Sequence, residues 1–359
     1  MVIMLHVGMD MHKKFSVVTV VGEGGEEVVQ GKRLENEEGA IVEFISELGE
    51  DAQVVLEAGS NWYWMCDLLD ELEIPNKLCH PSKTKAIASA RTKTDKLDSR
   101  ILAHLLRMDF IPESYKPDLK TRRSREVLRY RAGLVKVQTG IKNRAHALLA
   151  KNNVPNPFTD LFGKEGKRYL AGLDLAPEYR EALDGYTRML ASLATEIRKA
   201  ERTVDAAIES TPETELLETI PGVGRIRALT IASEIGDIDR FHAAKQLVSF
   251  AGLAPSTSQS GETTRHGHIT RQGSKWLRWT LVEAAIHVVG KPGPLRDFYL
   301  KTARRRGKKC ARVAVARKLC TYVYHMLKEK KDYAAVISFV EKRSGVSPLV
   351  SMGTQSPLI

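Results

Sequence analysis

Four acidic residues lie at positions where they could share a metal ion. Asp95 and Asp98 are three residues apart, so a helical segment places both carboxylates on one face. Thr94 precedes them as a candidate N-cap and apolar residues follow, which predicts a helix that begins near Thr94. Asp10 follows an apolar, strand-like segment, and Glu57 ends the segment QVVLE. Each of these signals is ordinary alone, because such pairs are common on helix surfaces and aspartates often cap turns.

The elements around these residues predict an α/β domain of ribonuclease H-like order. Strands at 2–9, 15–21 and 27–33 are followed by a helix to Leu48, after which short strands and helices alternate. In open α/β sheets, ligand sites collect at the carboxyl ends of parallel strands. The four carboxylates would then come from separate elements: Asp10 from the first strand, Glu57 from the end of a middle strand, and Asp95 and Asp98 from a later helix.

A cluster of four carboxylates is unfavourable without a cation. Like charges within a few Å raise one another's pKa, and a divalent ion offsets that repulsion. Ligands that are all oxygen atoms suit Mg²⁺ or Mn²⁺. Two such ions about 3.5–4 Å apart can stabilise the attacking and the leaving oxygen of a phosphodiester. The sequence therefore predicts a metal centre for phosphodiester chemistry, with Asp10, Glu57, Asp95 and Asp98 as catalytic metal ligands.

The charge of the chain is unevenly distributed. The 359 residues carry a net charge of +11, but residues 1–80 hold 16 acidic and 5 basic residues, so the remainder carries +22. An acidic domain followed by a strongly basic remainder indicates a nucleic-acid partner, although an inert basic surface is the alternative. The sequence contains no run of 18 apolar residues and no signal-peptide pattern, and its four cysteines form no CxxC pair. We therefore expect no membrane span and a cytoplasmic protein with reduced thiols.

Four segments follow from the pattern: an α/β domain at 1–112, a helical spacer at 113–211, a mainly helical domain at 212–343 and a disordered tail at 344–359. Residues 119–151 hold ten basic residues and one acid with apolar positions at helical spacing, which predicts a long basic helix. A second helical run at 177–210 would pair with it antiparallel. The pair could be a dimerisation arm, a nucleic-acid-binding spacer or a purely structural hairpin.

The sequence IPGVG at 220–224, between two helical stretches, is typical of a helix-hairpin-helix. Glycines in such a turn let the backbone approach a phosphate, and the next helix offers its N-terminal amides, although a turn used only for packing is the alternative. Residues 301–318 form a further basic cluster without acids. The residues predicted to contact nucleic acid are Arg122, Arg123, Arg129, Lys136, Lys142, Arg144, Gly222, Gly224, Arg225, Arg265, Arg271, Lys275, Arg278, Arg304, Arg305 and Arg306.

A second chemical candidate is the hydroxyl cluster of the polar segment 255–273, which is predicted as a long loop or hairpin. It contains Ser256, Ser258 and Ser260, with Gly261 after the last of them. A hydroxyl becomes a useful nucleophile only when a base or a metal activates it. From the residues alone the cluster is a weak signal, because serines in loops are mostly solvated.

Up to about residue 330 the chain resembles transposases of the IS110 family (the IS110/IS1111/IS116/IS902 group). The strings that carry the resemblance are VGMDMHKK, LEAGSNWYW, KTDKLDSRILA, IPGVGRIRALTIASEIGD, RFHAAKQLVSFAGLAPSTSQSG and GHITRQGSKWLRWTLVEAA. One departure is Ser274, where the family usually has Asn, and we expect it to have little effect.

The resemblance implies a RuvC-like DEDD domain with Asp10, Glu57, Asp95 and Asp98, and a C-terminal transposase domain whose nucleophile matches Ser260. It also implies recombination of donor and target DNA guided by a structured non-coding RNA. In the family the serine and the carboxylates meet across a subunit interface, so a homo-oligomer is expected, a dimer or a tetramer.

The predicted function is thus that of a transposase that moves its insertion element through a covalent phosphoserine–DNA intermediate, with Mg²⁺ or Mn²⁺. The alternatives are a RuvC-like junction nuclease that uses water, and a non-catalytic DNA-binding protein built on the helix-hairpin-helix. Neither alternative requires the Ser-Gly motif at Ser260.

Overall fold

The structure is a computed structural model that describes residues 4–49, 51–59, 61–88, 94–260 and 263–343. At residues 258, 260, 263–266 and 340–343 it describes the backbone alone. The predicted tail at 344–359 lies outside the described residues. The chain divides into two compact units, Met1–Pro117 and Asp118–Ile359. Among the described helices, none combines the length and the apolar character that a bilayer crossing requires.

The first unit is a mixed five-stranded sheet with helices on both faces, which confirms the predicted α/β domain. The strand order is β3-β2-β1-β4-β5. Strand β1 pairs antiparallel with β2 and parallel with β4, while β2–β3 is antiparallel and β4–β5 is parallel. The elements are β1 (Leu5–Met11), β2 (Phe15–Val21), β3 (Glu27–Glu35), α1 (Glu38–Leu48), β4 (Ala52–Glu57), α2 (Trp62–Glu71), β5 (Asn76–Cys79), α3 (Pro81–Ile87) and α4 (Asp95–Arg107).

One face of this sheet forms the main core of the unit. Alternate strand residues such as Met9 and Leu56 point to this face and are fully buried. Helices α1 and α2 cover them with apolar side chains at helical spacing, among them Ile41, Phe44 and Met65. The opposite face, with Val55 and Cys79, packs against α4 through a smaller cluster. The two faces are therefore covered by different helices, and the acidic residues of α4 belong to the second face.

The second unit begins with the predicted antiparallel pair of long helices, α5 (Leu119–Lys151) and α7 (Pro177–Ala207). Leu128 packs near Val204 at one end, and Leu148 packs near Leu183 at the other, so the helices run in opposite directions. Arg131 of α5 also forms a 2.5 Å ion pair with Glu201 of α7. A short helix, α6 (Lys164–Ala171), lies in the connection.

The rest of the second unit is helical apart from one hairpin, in agreement with the predicted helical C-terminal part. Its buried residues form one core, which includes Leu217, Leu247, Leu281 and Leu319 from four helices. Strands β6 and β7 pair antiparallel in a separate two-stranded sheet. The elements are α8 (Pro212–Glu218), α9 (Arg225–Ile235), α10 (Ala244–Phe250), β6 (Pro255–Ser260), β7 (Thr263–Ile269), α11 (Lys275–Val288), α12 (Pro294–Glu329) and α13 (Tyr333–Arg343).

Candidate active site

Helix α4 lies directly on strand β1 because β1 has no side chain at Gly8. A β-carbon at Gly8 would lie 2.1 Å from the carbonyl oxygen of Ser99 and 2.3 Å from the amide nitrogen of Ala103. Next to this contact, the buried hydroxyls of Ser99 and Thr19 are hydrogen-bonded at 2.8 Å. Glycine thus permits a close backbone approach, and a polar bond between buried side chains fixes where the helix sits.

Strand alternation places Asp10 on the same face as Gly8, beneath the start of α4. The parallel register pairs Met9 with Leu56, so the next residues, Asp10 and Glu57, lie side by side at the carboxyl ends of neighbouring strands. Asp10 is buried, with 8% of its surface exposed, whereas Glu57 is only partly buried. Two of the predicted ligands therefore lie at the edge of the sheet where α/β proteins usually bind ligands.

Asp95 and Asp98 lie in the first turn of α4, as predicted. Thr94 is the N-cap, and its hydroxyl accepts a hydrogen bond from the amide of Leu97 at 3.2 Å. This cap fixes the first residue of the helix, and the positive end of the helix dipole favours the two carboxylates there. Both aspartates are partly exposed.

Histidine 12 also belongs to this cluster, although the sequence analysis did not include it. The His12 Nε2 atom lies 3.4 Å from an oxygen of Asp10 and 3.2 Å from an oxygen of Asp95. One ligand atom from each of these three residues can be chosen so that the three atoms lie within 4.8 Å of one another. The sequence signal is weak, because His12 lies two residues after Asp10 but just beyond the end of β1 at Met11.

The backbone at His12 is held in place by two asparagines. The carbonyl oxygen of His12 accepts hydrogen bonds from the side-chain amides of Asn36, at 2.8 Å, and Asn61, at 3.0 Å. The imidazole ring also contacts Phe15, with 4.6 Å between ring centroids. The position of His12 beside the carboxylates is therefore supported by several contacts.

The pKa of Asp10 is shifted by its burial and by the charged groups around it. Burial raises the pKa of Asp10, His12 opposes this, and Asp98, Asp95 and Glu57 raise it further. The neighbouring Cys79 on β5, opposite Glu57, has its pKa raised to about 11, mainly by burial. The structure thus brings the four acids into one electrostatic neighbourhood around a buried carboxylate.

The residues present fit a divalent cation. The Nε2 atom of His12 makes no hydrogen bond to any described residue, although it lies between two carboxylate oxygens. Three or more carboxylates with one imidazole form a donor set that Mg²⁺ or Mn²⁺ accepts, and a cation would offset the repulsion around Asp10. Asp10, His12 and Asp95 are the residues whose ligand atoms converge.

The candidate serines lie on the β6–β7 hairpin of the second unit. Ser256, Ser258 and Ser260 occupy alternate positions of β6. Ser260 is the last residue of β6 and pairs with Thr263, while its side chain lies outside the described atoms. The Ser256 hydroxyl donates to the carbonyl oxygen of His268 at 3.0 Å and is thereby used within the hairpin.

The base of the hairpin is tightly held. Gly252 and Gly273 both have positive φ angles, 65° and 94°, which other residues rarely adopt. The guanidinium of Arg278 on α11 donates to the carbonyl oxygens of Ala251, at 3.1 Å, and Arg271, at 3.3 Å. Arg278 therefore joins the two chain segments that enter and leave the hairpin.

Several predicted nucleic-acid contacts are bound within the second unit. Arg122 is buried, and Arg129 makes two hydrogen bonds, at 2.7 and 3.0 Å, to the carboxylate of buried Glu234. Arg225 donates to Asp205 at 3.1 Å and to the carbonyl oxygen of Ile208 at 2.8 Å. The predicted residues with exposed side chains are Arg123, Lys136, Arg144, Arg271, Lys275, Arg304, Arg305 and Arg306, while Lys142 is partly exposed and the side chain of Arg265 is not described.

The glycines of the turn between α8 and α9 differ in their surroundings. A β-carbon at Gly222, which has φ of 82°, would lie 2.2 Å from the β-carbon of His287 on α11. The guanidinium of Arg227 bonds to the Gly222 carbonyl oxygen at 2.7 Å. A β-carbon at Gly224 would meet nothing within 4 Å. Packing therefore explains Gly222, whereas Gly224 leaves the backbone accessible at the start of α9.

Comparison with known proteins gives the class of the molecule. A family model of DEDD-type IS110 sequences, described as a transposase, matches residues 7–153, and a model described as the transposase IS116/IS110/IS902 family matches residues 214–300. The first match contains all four carboxylates and the second contains the serine hairpin. The molecule is a transposase, and the chain belongs to the IS110 family.

Individual relatives agree with this assignment. The chain is 27% identical over 290 residues to the transposase for insertion sequence element IS1111A of Coxiella burnetii, covering 78% of this chain and 79% of the relative. It is 28% identical to a putative transposase of Sinorhizobium fredii, covering 78% of this chain and 70% of the relative. A pilin gene-inverting protein of Moraxella bovis is 35% identical over 133 residues, which cover 35% of this chain and 41% of the relative.

Proposed function

We propose that this transposase cuts and exchanges DNA strands through a covalent phosphoserine link, with Ser260 as the nucleophile and the carboxylate cluster as the metal centre. The observation that carries the proposal is the convergence of ligand atoms from Asp10, His12 and Asp95, beside Glu57 and Asp98, whose charges raise the pKa of Asp10. The DEDD family match implies a RuvC-like fold for this unit, and the strand order agrees with the ribonuclease H-like order expected from the sequence.

The metal would be held by the four carboxylates, with His12 as a further ligand. When bound, Mg²⁺ or Mn²⁺ would supply Lewis-acid stabilisation of the charge that develops on the phosphate. The chain's own residues supply the rest. Hydrogen bonds at its base hold the hairpin that carries Ser260, and the exposed basic residues of the second unit would hold phosphates.

The chemical step that we propose begins with the Ser260 hydroxyl. Its oxygen loses its proton and attacks the phosphorus, the bond between phosphorus and the 3′ oxygen breaks, and the 3′ oxygen takes up a proton and leaves as a hydroxyl, so that the 5′ phosphate stays bonded to the serine. The ester bond that is formed keeps the energy of the bond that is broken, so rejoining requires no ATP. The name of the Moraxella relative says that it inverts a gene, an outcome that requires strands to be cut and rejoined.

For nucleic-acid binding we retain the exposed positions and set aside those whose side chains are bound within the protein. Arg122, Arg129 and Arg225 contribute to packing and ion pairs, so their loss would act through stability. The proposed DNA surface comprises the exposed Arg123, Lys136, Arg144, Gly224, Arg271, Lys275, Arg304, Arg305 and Arg306 and the partly exposed Lys142, and Arg265 is kept on the sequence prediction alone. The guide RNA and the oligomer are carried by the family resemblance and belong to the same proposal.

Trapping of the covalent intermediate tests the chemistry. DNA that carries the ends of the element is incubated with the protein, the structured non-coding RNA of the element and Mg²⁺. The products are then separated under denaturing conditions, so that only covalent protein–DNA adducts remain together. We expect a protein–DNA adduct that requires metal and that disappears in Ser260→Ala but persists in Ser256→Ala and Ser258→Ala. Cleavage without an adduct would instead indicate a hydrolytic RuvC-like nuclease, and binding without any cleavage would indicate a DNA-binding protein.

Mixing of inactive variants tests the oligomer. Ser260→Ala retains the carboxylates, and Asp10→Asn retains the serine. If the two groups come from different protomers, a mixture of the two variants restores adduct formation on the Asp10→Asn chain. A mixture that stays inactive while each variant still binds DNA would contradict a shared site.

A further inference from the structure

A groove of about 860 Å³ lies in the second unit between the β6–β7 hairpin and α12. The hairpin side includes His268 and Ile269, and the residue Arg271 lies at the base. The helix side is formed by residues that recur every three or four positions from Lys309 to Thr321, which places them on one face of α12. Of the residues that line the groove, Arg271 and Arg306 already belong to the proposed DNA surface, and the hairpin carries Ser260; the other lining residues have no role in the function proposed above.

The groove combines an apolar floor with a basic rim. Leu253, Ile269, Phe298 and Val313 contribute the apolar surface. The basic side chains that line it are Arg271, Arg306, Lys309, Arg317 and Lys318. Among the described residues that line the groove, none is acidic. A polyanion with apolar faces is the occupant that complements such a surface.

The aromatic floor is already associated with a cation. The ammonium of Lys318 lies 4.6 Å from the ring centroid of Phe298. Phe298 is only partly buried, so one part of its ring remains accessible from the groove. Proteins that bind single-stranded nucleic acid place bases on aromatic or apolar side chains and hold the backbone with nearby basic groups. Lys318 and Phe298 provide both functions within one contact.

The dimensions fit a short strand. From Lys309 to Thr321 the helix rises by about 18 Å, at about 1.5 Å per residue. Phosphates repeat at about 3.4 Å along a strand of duplex DNA and at longer intervals in an extended strand, so the groove has room for roughly three to five nucleotides. Only unpaired bases can place their faces on the apolar floor, because bases paired in a duplex expose only their edges.

We propose that this groove binds a single strand of DNA, with its bases on the Phe298 side and its phosphates on the α12 rim. The proposal rests on the proposed function, since strand exchange requires DNA strands to separate near the nucleophile. One wall of the groove is the base of the hairpin, at Pro255 and Ile269, and β6 runs from this base to Ser260, so a longer strand bound in the groove could continue along the hairpin towards that residue.

A native cysteine makes the groove directly observable. Cys310 lines it and is exposed, whereas Cys66, Cys79 and Cys320 are buried. The rate at which N-ethylmaleimide modifies Cys310 can be followed by mass spectrometry of its peptide in the full chain. The experiment uses the Ser260→Ala variant in EDTA, so that no cleavage occurs and neither the metal nor the serine affects the result.

We expect a single-stranded DNA oligonucleotide of about 12 nucleotides to slow the modification of Cys310 at least tenfold. A duplex of the same sequence should protect much less, because its bases cannot reach the floor. The double variant Lys309→Gln/Arg317→Gln should bind the single strand about tenfold more weakly. A plot of log affinity against log salt concentration should have a slope that is smaller in magnitude by about 1.4, because two phosphate contacts are lost.

The matched control is Lys308→Gln/Arg312→Gln. These two exposed residues lie on the same helix but do not line the groove, and their substitution removes the same amount of charge. If the control weakens binding as much as the groove variant, the effect is general electrostatics and the proposal is wrong. A melting temperature within about 2 °C of the parent protein, measured for both double variants, excludes misfolding as the cause.

Three results would overturn the assignment. Slow modification of Cys310 in the protein alone would mean that part of the chain or a second copy occupies the groove. Equal protection by duplex DNA would remove the single-strand argument, and stronger protection by RNA of the same sequence would assign the groove to RNA. Failure of the phosphoserine chemistry would leave Cys310 protection unchanged, so the two proposals fail separately.

Discussion

The α-carbon of Gly8 on β1 faces the carbonyl oxygen of Ser99 on α4 so closely that an added β-carbon would lie 2.1 Å from that oxygen. This contact sets the distance between the helix that carries Asp95 and Asp98 and the strand that carries Asp10. Any side chain at Gly8 must move α4 away from the sheet, because the atoms it meets belong to the backbone.

The first prediction concerns Gly8. We expect Gly8→Ala to lower the stability of the first unit by about 1–3 kcal/mol, the usual cost of overpacking, and to reduce stabilisation by Mg²⁺ or Mn²⁺. Thermal unfolding with and without metal measures both effects. Gly39→Ala on α1 is the control, because a β-carbon there meets nothing within 4 Å. If Gly8→Ala were as stable as the control, the close approach of α4 to β1 would be wrong.

The second prediction concerns the cost of an ionised Asp10. Its pKa is raised by burial first and by three neighbouring carboxylates. A pKa that is higher in the folded state means that stability is greatest below the unfolded-state pKa and declines as the pH rises through the folded-state pKa. We therefore expect Asp10→Asn to raise the melting temperature of the metal-free protein at about pH 7, by on the order of a few °C.

The same substitution should abolish the stabilisation that Mg²⁺ gives. The gain in melting temperature should shrink as the pH falls through the raised folded-state pKa of Asp10 and should be lost below the pKa of the unfolded chain, because Asp10 of the parent protein is then protonated in both states. Melting curves in EDTA and in Mg²⁺ across this range provide the measurement. A lower melting temperature for Asp10→Asn in EDTA at pH 7 would contradict the crowding of carboxylates around this residue.

The third prediction concerns His12 as a metal ligand. We expect His12→Ala to weaken binding of Mn²⁺ about tenfold or more, which is the order of effect seen for supporting residues of metal sites. Titration calorimetry with Mn²⁺ measures the affinity. His242→Ala, which removes an exposed histidine of the second unit, should leave it unchanged. Equal affinity in both variants would restrict the ligands to carboxylates.

Much of the carboxylate centre was predictable from the sequence because its determinants are local. Thr94 caps the helix through the amide of Leu97, three residues later, so the start of α4 can be inferred from neighbouring residues. Strand alternation gave the side of the sheet on which Asp10 lies. His12 lies just beyond the end of β1, so alternation does not place it, and a prediction based on oxygen ligands alone does not include an imidazole.

The roles of single arginines could not be predicted in the same way. Arg129 stands in a basic helix, and counting charges assigned it to nucleic acid. Its partner Glu234 is 105 residues away in the sequence, so the ion pair is visible only once α5 and α9 are packed together. Glu234 is itself inconspicuous, since nothing near it in sequence shows that it is only 2% exposed.

The fourth prediction uses this pair. We expect Glu234→Ala to lower the free energy of unfolding by about 2–4 kcal/mol, because it leaves the guanidinium of Arg129 without its carboxylate in a largely buried place. Arg131 lies on the same helix as Arg129 and forms a more exposed ion pair with Glu201 of α7. Glu201→Ala, which breaks that pair, should cost less than about 1 kcal/mol. Denaturant unfolding of both variants decides the comparison, and equal costs would contradict the buried character of the Glu234 pair.

The fifth prediction concerns Ser274, the first residue after the hairpin base. Its hydroxyl accepts from the amide of Leu277 at 3.1 Å and donates to Glu234 at 2.8 Å. Ser274→Ala loses both bonds and should cost about 1–2 kcal/mol. Ser274→Asn should cost less than about 0.5 kcal/mol, because asparagine is an equally good N-cap and its amide can still donate to Glu234.

Urea unfolding of the two Ser274 variants measures this difference. Ser338→Ala serves as the control, because that exposed hydroxyl only bonds back to its own helix at the carbonyl oxygen of Ala334. If Ser274→Asn were as unstable as Ser274→Ala, the asparagine side chain could not replace both bonds. A serine and an asparagine at this position would then require different surroundings at Glu234, and substitution at one position would have to be matched at the other.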